Sequence, residues 1–205
     1  MLLYTLRHHH SPLSLEYNLR MRATLVPHPT TPCSFIESFE VVVQRSDPRG
    51  LVVGYVITGN VEEILLPQQH AADRTDKLWE HTCFEIFLRP DGSRTYMELN
   101  FSPSSQWAAY RFDDYRAGMK ELPMSTAPKI YHDEGMPHVM DIEIALELKA
   151  LRSLSDSDIR LAACAVIEDR RGQKSYWAVR HPSSKPDFHH PDSFTLTLPN
   201  TGARP

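Results

Sequence analysis

The segment Phe84 to Phe101, FEIFLRPDGSRTYMELNF, carries two glutamates among aromatic residues at a spacing that sorts them onto one face of a sheet. Both arms alternate with the period of two that an extended strand imposes. Glu85, Phe87, Tyr96, Glu98 and Asn100 then share one face, and Phe84, Ile86, Leu88, Met97, Leu99 and Phe101 share the other. Asp91-Gly92 is a strong signal for a two-residue type I′ turn, because both central positions of that turn need positive φ. A turn centred there places Glu85 across from Glu98, Phe87 from Tyr96 and Arg89 from Arg94. Like charges directly opposite on a sheet repel, so the arrangement requires a cation, an arginine or a shared proton between the carboxylates. Carboxylates so placed can accept hydrogen bonds from hydroxyl groups, and two of them flanking a glycosidic bond can also hydrolyse it.

The elements that must position this face read as strands. Ser38 to Arg45 and Leu51 to Thr58 are β-branched runs joined by Ser46-Asp47-Pro48-Arg49-Gly50, which predicts a second antiparallel hairpin. Residues 60–67, 106–115, 127–132, 138–146, 159–168 and 193–198 each suit a strand, 68–77 reads as a loop, and Glu147 to Leu154 is the best helical candidate. Short strands punctuated by Gly, Pro and Asp predict an all-β fold: an antiparallel β-sandwich, immunoglobulin-like or jelly-roll-like, with one or two short helices. At 205 residues, with 41% hydrophobic and 23% charged residues, the chain can bury a full core as one domain, residues 1–198, followed by a tail, 199–205.

Composition also excludes several classes. Net charge is −4 and the basic residues form no run, so the electrostatic footprint of a nucleic-acid or anionic-membrane binder is missing. No apolar stretch is long enough to span a membrane, and Met1 to Leu15 shows no export-signal pattern, which points to the cytoplasm. Cys33, Cys83 and Cys164 are too few for a disulfide scaffold and read as reduced thiols. The run His8-His9-His10 reads as solvated. There is no Gly-x-Ser-x-Gly elbow, phosphate loop, dinucleotide fingerprint, Cys-x-x-Cys or His-Glu-x-x-His pattern, so neither a catalytic residue nor a metal site is assigned.

Ligand-binding residues are easier to nominate. Trp79, Tyr96, Trp107 and Trp177 offer flat surfaces on which the C–H face of a sugar ring can pack, with Phe87 beside them. Glu85, Glu98 and Asn100 supply hydrogen bonds. Arg180, in the strand-like run Tyr176 to Arg180 and followed by His181, is placed to orient or neutralise the glutamates. The same arginine could instead bridge both carboxylates as an internal ion-pair network, which would leave the aromatic face as a protein contact.

The segment Arg74 to Leu88 (RTDKLWEHTCFEIFL), then Tyr96 to Pro103 (YMELNFSP), and the closing Ser175 to Pro182 (SYWAVRHP) and Lys185 to Pro191 (KPDFHHP) together resemble the DOMON-like domains related to family 9 carbohydrate-binding modules. Within that superfamily they are most similar to a bacterial branch described as MurB-associated. The resemblance spans residues 51–198 and implies a β-sandwich whose relatives bind sugars or haem on one face. It makes the expected function non-catalytic recognition of a carbohydrate or related polar metabolite. Sugar-binding relatives carry Trp-x-x-Asp before the hairpin, whereas this chain has Thr82 after Trp79, so that carboxylate is missing here. No cofactor is assigned. The resemblance raises two alternatives: a structural calcium ion at Asp73 and Asp76, and a haem held by residues such as Met97, Met119, Met124, His138, His181 or His189.

Overall fold

The structure, a computed structural model, describes residues 20–47, 50–147 and 158–199. Among the described residues, thirteen strands form two sheets. Strands β1 (Arg20–Thr24), β3 (Ile36–Asp47), β4 (Gly50–Gly59), β9 (Lys129–Met136) and β10 (Val139–Glu147) make a five-stranded sheet in the order β1-β3-β4-β10-β9. The larger sheet runs β2 (Val26–Pro27), β12 (Lys174–Ala178), β11 (Ile159–Glu168), β5 (Cys83–Pro90), β6 (Tyr96–Phe101), β7 (Trp107–Phe112) and β8 (Lys120–Glu121). Its eighth strand, β13 (Leu196–Leu198), pairs with the start of β11 beyond the reach of β12. Every named strand pairing is antiparallel, which is the expected antiparallel β-sandwich.

The strands alternate because the two sheets bury one face each against the other. β4 does so over its whole length, with Leu51, Val53, Tyr55 and Ile57 fully buried and the residues between them half-exposed. They meet Phe84, Ile86, Leu88, Leu99 and Phe101 of the larger sheet in one apolar core. Phe84 joins an aromatic cluster that crosses the sandwich, 5.0 Å from the Tyr55 ring and 6.3 Å from Phe39. Gly59 ends β4 at φ +133°, where a Cβ would come within 2.3 Å of the Phe35 carbonyl oxygen, so no other residue fits this crossing.

The central strands carry a second core on the side facing away from the sandwich. There Cys83, Phe87, Tyr96, Tyr110, Phe112, Ala162, Cys164 and Val166 pack beneath Phe188 and Phe194. β5, β6 and β11 are therefore buried on both faces. The cover consists of the loops after β7 and β12 and the turn before β5.

Several elements differ from the sequence reading. Residues 60–67 form a 3₁₀ turn at Val61–Glu63 and a single bridge from Ile64 to Asp169 in place of a strand. β9 begins at Lys129 and runs on to Met136, and β13 starts three residues later than expected because Pro191–Ser193 turn as a 3₁₀ segment. Glu147 closes β10, and the rest of the helical candidate lies outside the described residues, as does the tail from residue 200.

The hairpin register is the correction that matters most. β5 and β6 pair Phe84 with Phe101, Glu85 with Asn100 and Phe87 with Glu98, a shift of two residues from the expected partners. Gly92 has φ +73° but Asp91 is not left-handed, so the turn is not type I′. Asp91 is held from outside the hairpin: its N–H donates to the Asp158 carbonyl at 2.8 Å, and its carboxylate accepts from Arg160 Nε at 2.9 Å. Ser93 then hydrogen-bonds the backbone of Thr95, adding a second small turn. Because the shift is even, every side chain keeps its expected face.

Candidate functional site

The register places an amide where a second carboxylate was expected. Glu85 faces Asn100, and Glu98 sits on the diagonal, about 7–8 Å away by sheet geometry. The Asn100 side chain, fully buried, donates from Nδ2 to Glu98 Oε1 at 2.7 Å, and its own Oδ1 has no hydrogen-bond partner among the described residues. Glu85 is 3% exposed, and no described residue donates to its carboxylate. Two buried acids thus have one donor between them.

Above these acids lies a cleft of about 380 Å³. Glu85 and Glu98 form its floor with Phe112, Val166 and Tyr176, also from the sheet. Trp79 enters from a 3₁₀ turn, Leu78–Glu80, which starts from a left-handed Lys77. The loop after β7 contributes Arg116 and Met119, and the loop after β12 contributes Pro186, Phe188 and His189.

Asp187 fastens these two loops to each other. Its carboxylate accepts from Arg116 Nη2 at 2.8 Å and Nε at 3.2 Å, from the Tyr115 hydroxyl, and from the His189 N–H at 3.2 Å. Burial works against the Asp187 charge, yet Tyr115 and Arg116 hold its pKa below the usual carboxylate range. A second chain of bonds runs down to the glutamates. The Tyr96 hydroxyl accepts from the Arg116 N–H at 3.1 Å and lies 2.8 Å from His189 Nδ1. The other ring nitrogen, His189 Nε2, lies 3.6 Å from Glu98 Oε2.

The electrostatics follow from this geometry. Burial pushes His189 down to about 4, helped by the neighbouring Arg116, so the ring is neutral near pH 7. Burial likewise pushes Tyr96 up to about 12. Burial raises Glu98 to about 7, against the opposing pull of the Asn100 hydrogen bond and Arg116. Glu85 rises well above the usual range because of burial and the charge on Glu98, with Arg116 again opposing. Arg116 lines the cleft but spends its hydrogen bonds on Asp187, so it relieves the pair only at a distance.

Of the residues nominated from sequence, the structure brings Glu85, Glu98 and Trp79 to the cleft, with Tyr96, Phe87 and Asn100 buried beside it. Trp107 and Trp177 lie elsewhere, in the core between the sheets, and Trp177 Nε1 donates to Ser175 Oγ at 2.9 Å. They occupy inward positions of strands β7 and β12, so neither offers a stacking surface. Arg180 follows β12 as an exposed residue and does not bridge the glutamates; the nearby cation is Arg116. His181 sits at the sheet edge, its Nε2 2.9 Å from the Val26 carbonyl.

Thr82 is fully buried and structural. Its hydroxyl donates to Leu65 O at 2.8 Å and accepts from the Glu168 N–H at 3.1 Å, tying the start of β5 to the end of β11. Asp76 accepts from Arg74 and from the Tyr110 hydroxyl, while Asp73 lies 3.4 Å from Gln106 Nε2, and no group of three or more potential metal ligands occurs among the described residues. Of the haem-ligand candidates, Met97 is in the core, His138 forms the β9–β10 turn at φ 65°, and only Met119 and His189 reach the cleft. Both ring nitrogens of His189 face protein groups.

Arg116, Asp187, Phe112 and Phe188 were not nominated. Arg116 and Asp187 belong to loops, where side-chain direction has no periodicity to read. The one visible cue was the motif KPDFHHP, which concentrates Asp187 and His189 in one segment.

No protein-family model and no curated protein matches the chain. Its fold is shared with a Bacteroides uniformis protein of known crystal structure, described as a "putative carbohydrate-binding protein". That match has a TM-score of 0.63 and 14% sequence identity, and it covers 89% of this chain and 86% of that one. Two structures of a family 9 carbohydrate-binding module from Caldicellulosiruptor kristjanssonii are also similar. The glucose complex matches at a TM-score of 0.46 and 13% identity over 85% of this chain and 81% of the module. The cellotriose complex matches at 0.40 and 13% over 72% and 67%. At scores below 0.5 these two modules add nothing to the assignment of the fold.

Proposed function

We propose that the cleft over β5, β6 and β11 binds a carbohydrate or a related polyhydroxylated metabolite without altering it chemically. The observation that carries this reading is the unmet hydrogen-bonding capacity at its floor: among the described residues nothing donates to the Glu85 carboxylate, which lines the cleft, or to Asn100 Oδ1 beside it. A buried polar group without a partner costs about 1–3 kcal/mol, a cost that ligand hydroxyls would offset on binding. A sugar hydroxyl both donates and accepts, so it suits Glu85 in either protonation state. Trp79 and Phe188, with Tyr176 and Phe112 of the floor, supply apolar surfaces on which a pyranose ring can rest. The Bacteroides uniformis protein of like fold carries a carbohydrate-binding description, which favours the same class. The DOMON-like, MurB-associated kinship read from the sequence motifs, and a place in the cytoplasm, belong to this reading.

A glycan array followed by calorimetry tests it. Wild type binds at least one glycan, and Glu85→Gln and Trp79→Ala each weaken that binding while melting at a temperature close to wild type. Absence of any bound glycan, or unchanged affinity in both variants, defeats the assignment.

A further inference from the structure

We propose that the ligand preferred by this cleft is an amine-bearing sugar, whose ammonium group seats beside Glu85 and Glu98 while its hydroxyls take the remaining polar positions. This rests on the carbohydrate-binding reading and narrows its ligand class. The reason is a charge imbalance built into the floor. Two acids stand on adjacent strands, and among the described residues no lysine or arginine is in contact with either.

The groups facing them come from every neighbouring element. On the sheet, Cys83 and Cys164 flank Glu85, and burial raises both thiols well above their ordinary value, so they stay neutral. Tyr96 and, directly across from Glu98 on β7, Tyr110 are phenols that burial pushes upward, so both stay neutral. From the loop after β12, His189 presents an uncharged ring 3.6 Å from Glu98. From the loop after β7, Arg116 is the sole cation among the described residues that line the cleft, and Asp187 neutralises it through two N–H groups. The other arginines near this face are engaged as well: Arg74 pairs with Asp76 and Glu121, and Arg89 lies over the Phe194 ring at 4.4 Å.

Without an added cation, a proton on one or both glutamates relieves the repulsion. An ammonium group does the same with better geometry, since it donates up to three charge-assisted hydrogen bonds to acceptors that have almost no donors of their own. A neutral sugar must leave the two acids protonated or repelling each other. The amine should therefore displace a proton when it binds, and its affinity should rise as pH increases from 5 to 7, because protons compete for the same carboxylates.

Calorimetry with matched pairs decides the matter: glucosamine against glucose, and a chitosan trimer against cellotriose, at pH 7 in two buffers of different ionisation enthalpy. The amine member of each pair should bind about tenfold tighter, release protons, and weaken toward pH 5, whereas the neutral member should not gain with pH. N-acetylglucosamine, which keeps the nitrogen but not the charge, should bind no tighter than glucose. In Glu85→Gln, checked by its melting curve, the ratio within each pair should fall close to one. Equal affinities within the pairs overturn the amine preference and leave carbohydrate binding standing. No binding by any member overturns this proposal, and the glycan array then decides separately whether the broader reading falls with it.

Discussion

The two faces of the β5–β6 hairpin are buried to the same degree and built from opposite chemistry. Facing inward, Phe84, Ile86, Leu88, Leu99 and Phe101 are inaccessible to solvent and entirely apolar. Facing outward, Phe87 and Asn100 are just as inaccessible and Glu85 and Glu98 are at most 5% exposed, yet that layer holds two acids and an amide. Burial alone therefore does not mark a structural core. The inward layer gains from leaving water, and the outward layer gives up hydration that the protein does not replace. A polar layer maintained at that cost is the observation on which the proposed binding site rests.

Substitutions on opposite sides of one strand should separate the two layers. The largest effect is expected for Phe84→Ala, which removes a ring enclosed by Phe39 and Tyr55 and should cost about 3–5 kcal/mol in urea unfolding. A loss below about 1 kcal/mol would show that the inter-sheet layer is not the stabilising one. The next effect has the opposite sign. Replacing both acids, Glu85→Gln with Glu98→Gln, keeps shape and Asn100's acceptor while removing the buried charge.

That double variant should be more stable than wild type at pH 8 by about 1–3 kcal/mol. The sign follows from the direction of the shifts. The folded state holds both carboxyl pKa values above the ordinary 4.5, Glu98 at about 7 and Glu85 raised too, so the folded state binds more protons than the unfolded one above pH 4.5. Wild type therefore loses stability as pH rises from about 4.5 through 7, and the advantage of the variant should vanish below about 4.5. His189, shifted down to about 4, acts in the other direction in both proteins and drops out of their difference to first order. Equal stability at pH 8, or an advantage that persists at pH 4, would mean the acids are compensated and the outward layer is ordinary scaffold.

How much of this was legible in the sequence depends on which force set each feature. The alternation in Phe84 to Phe101 survives because side-chain period is fixed by the backbone, so both layers could be read off directly. The register could not, because Asp158 and Arg160, distant in sequence, hold Asp91 away from the turn its own chemistry prefers. Trp107 and Trp177 were misplaced for a related reason: an isolated tryptophan does not announce which face of its strand is inward. Trp79, beside the hairpin motif, was placed at the cleft because chain proximity sufficed. Arg116 escaped notice because a left-handed residue at φ 51° in a loop directs its side chain by local geometry that no periodicity encodes.

A smaller effect tests the wall of the cleft. Tyr110, packed edge-on against Trp79 at 5.8 Å, donates its hydroxyl to Asp76. Tyr110→Phe keeps the ring and should cost about 0.5–1.5 kcal/mol in thermal unfolding, with Trp79 fluorescence reporting any change in its packing. A loss no larger than experimental error would mean that Arg74 alone holds Asp76.

The smallest effect separates the two arginines that could have served the glutamates. Arg180 is exposed and contributes no ion pair to the cleft, so Arg180→Ala should change stability by less than about 0.5 kcal/mol and leave glycan affinity unaltered. Arg116→Ala should act differently through two routes. It removes the guanidinium that holds Asp187, loosening the hinge between the two roofing loops, and it removes the one charge that lowers both glutamate pKa values. Glu98 should then titrate above its present value of about 7, which NMR of a side-chain-labelled sample can follow. If Arg180→Ala moved that titration and Arg116→Ala did not, the cation governing the polar layer would be the one at the end of β12, and the outward face would be the internal ion-pair network after all.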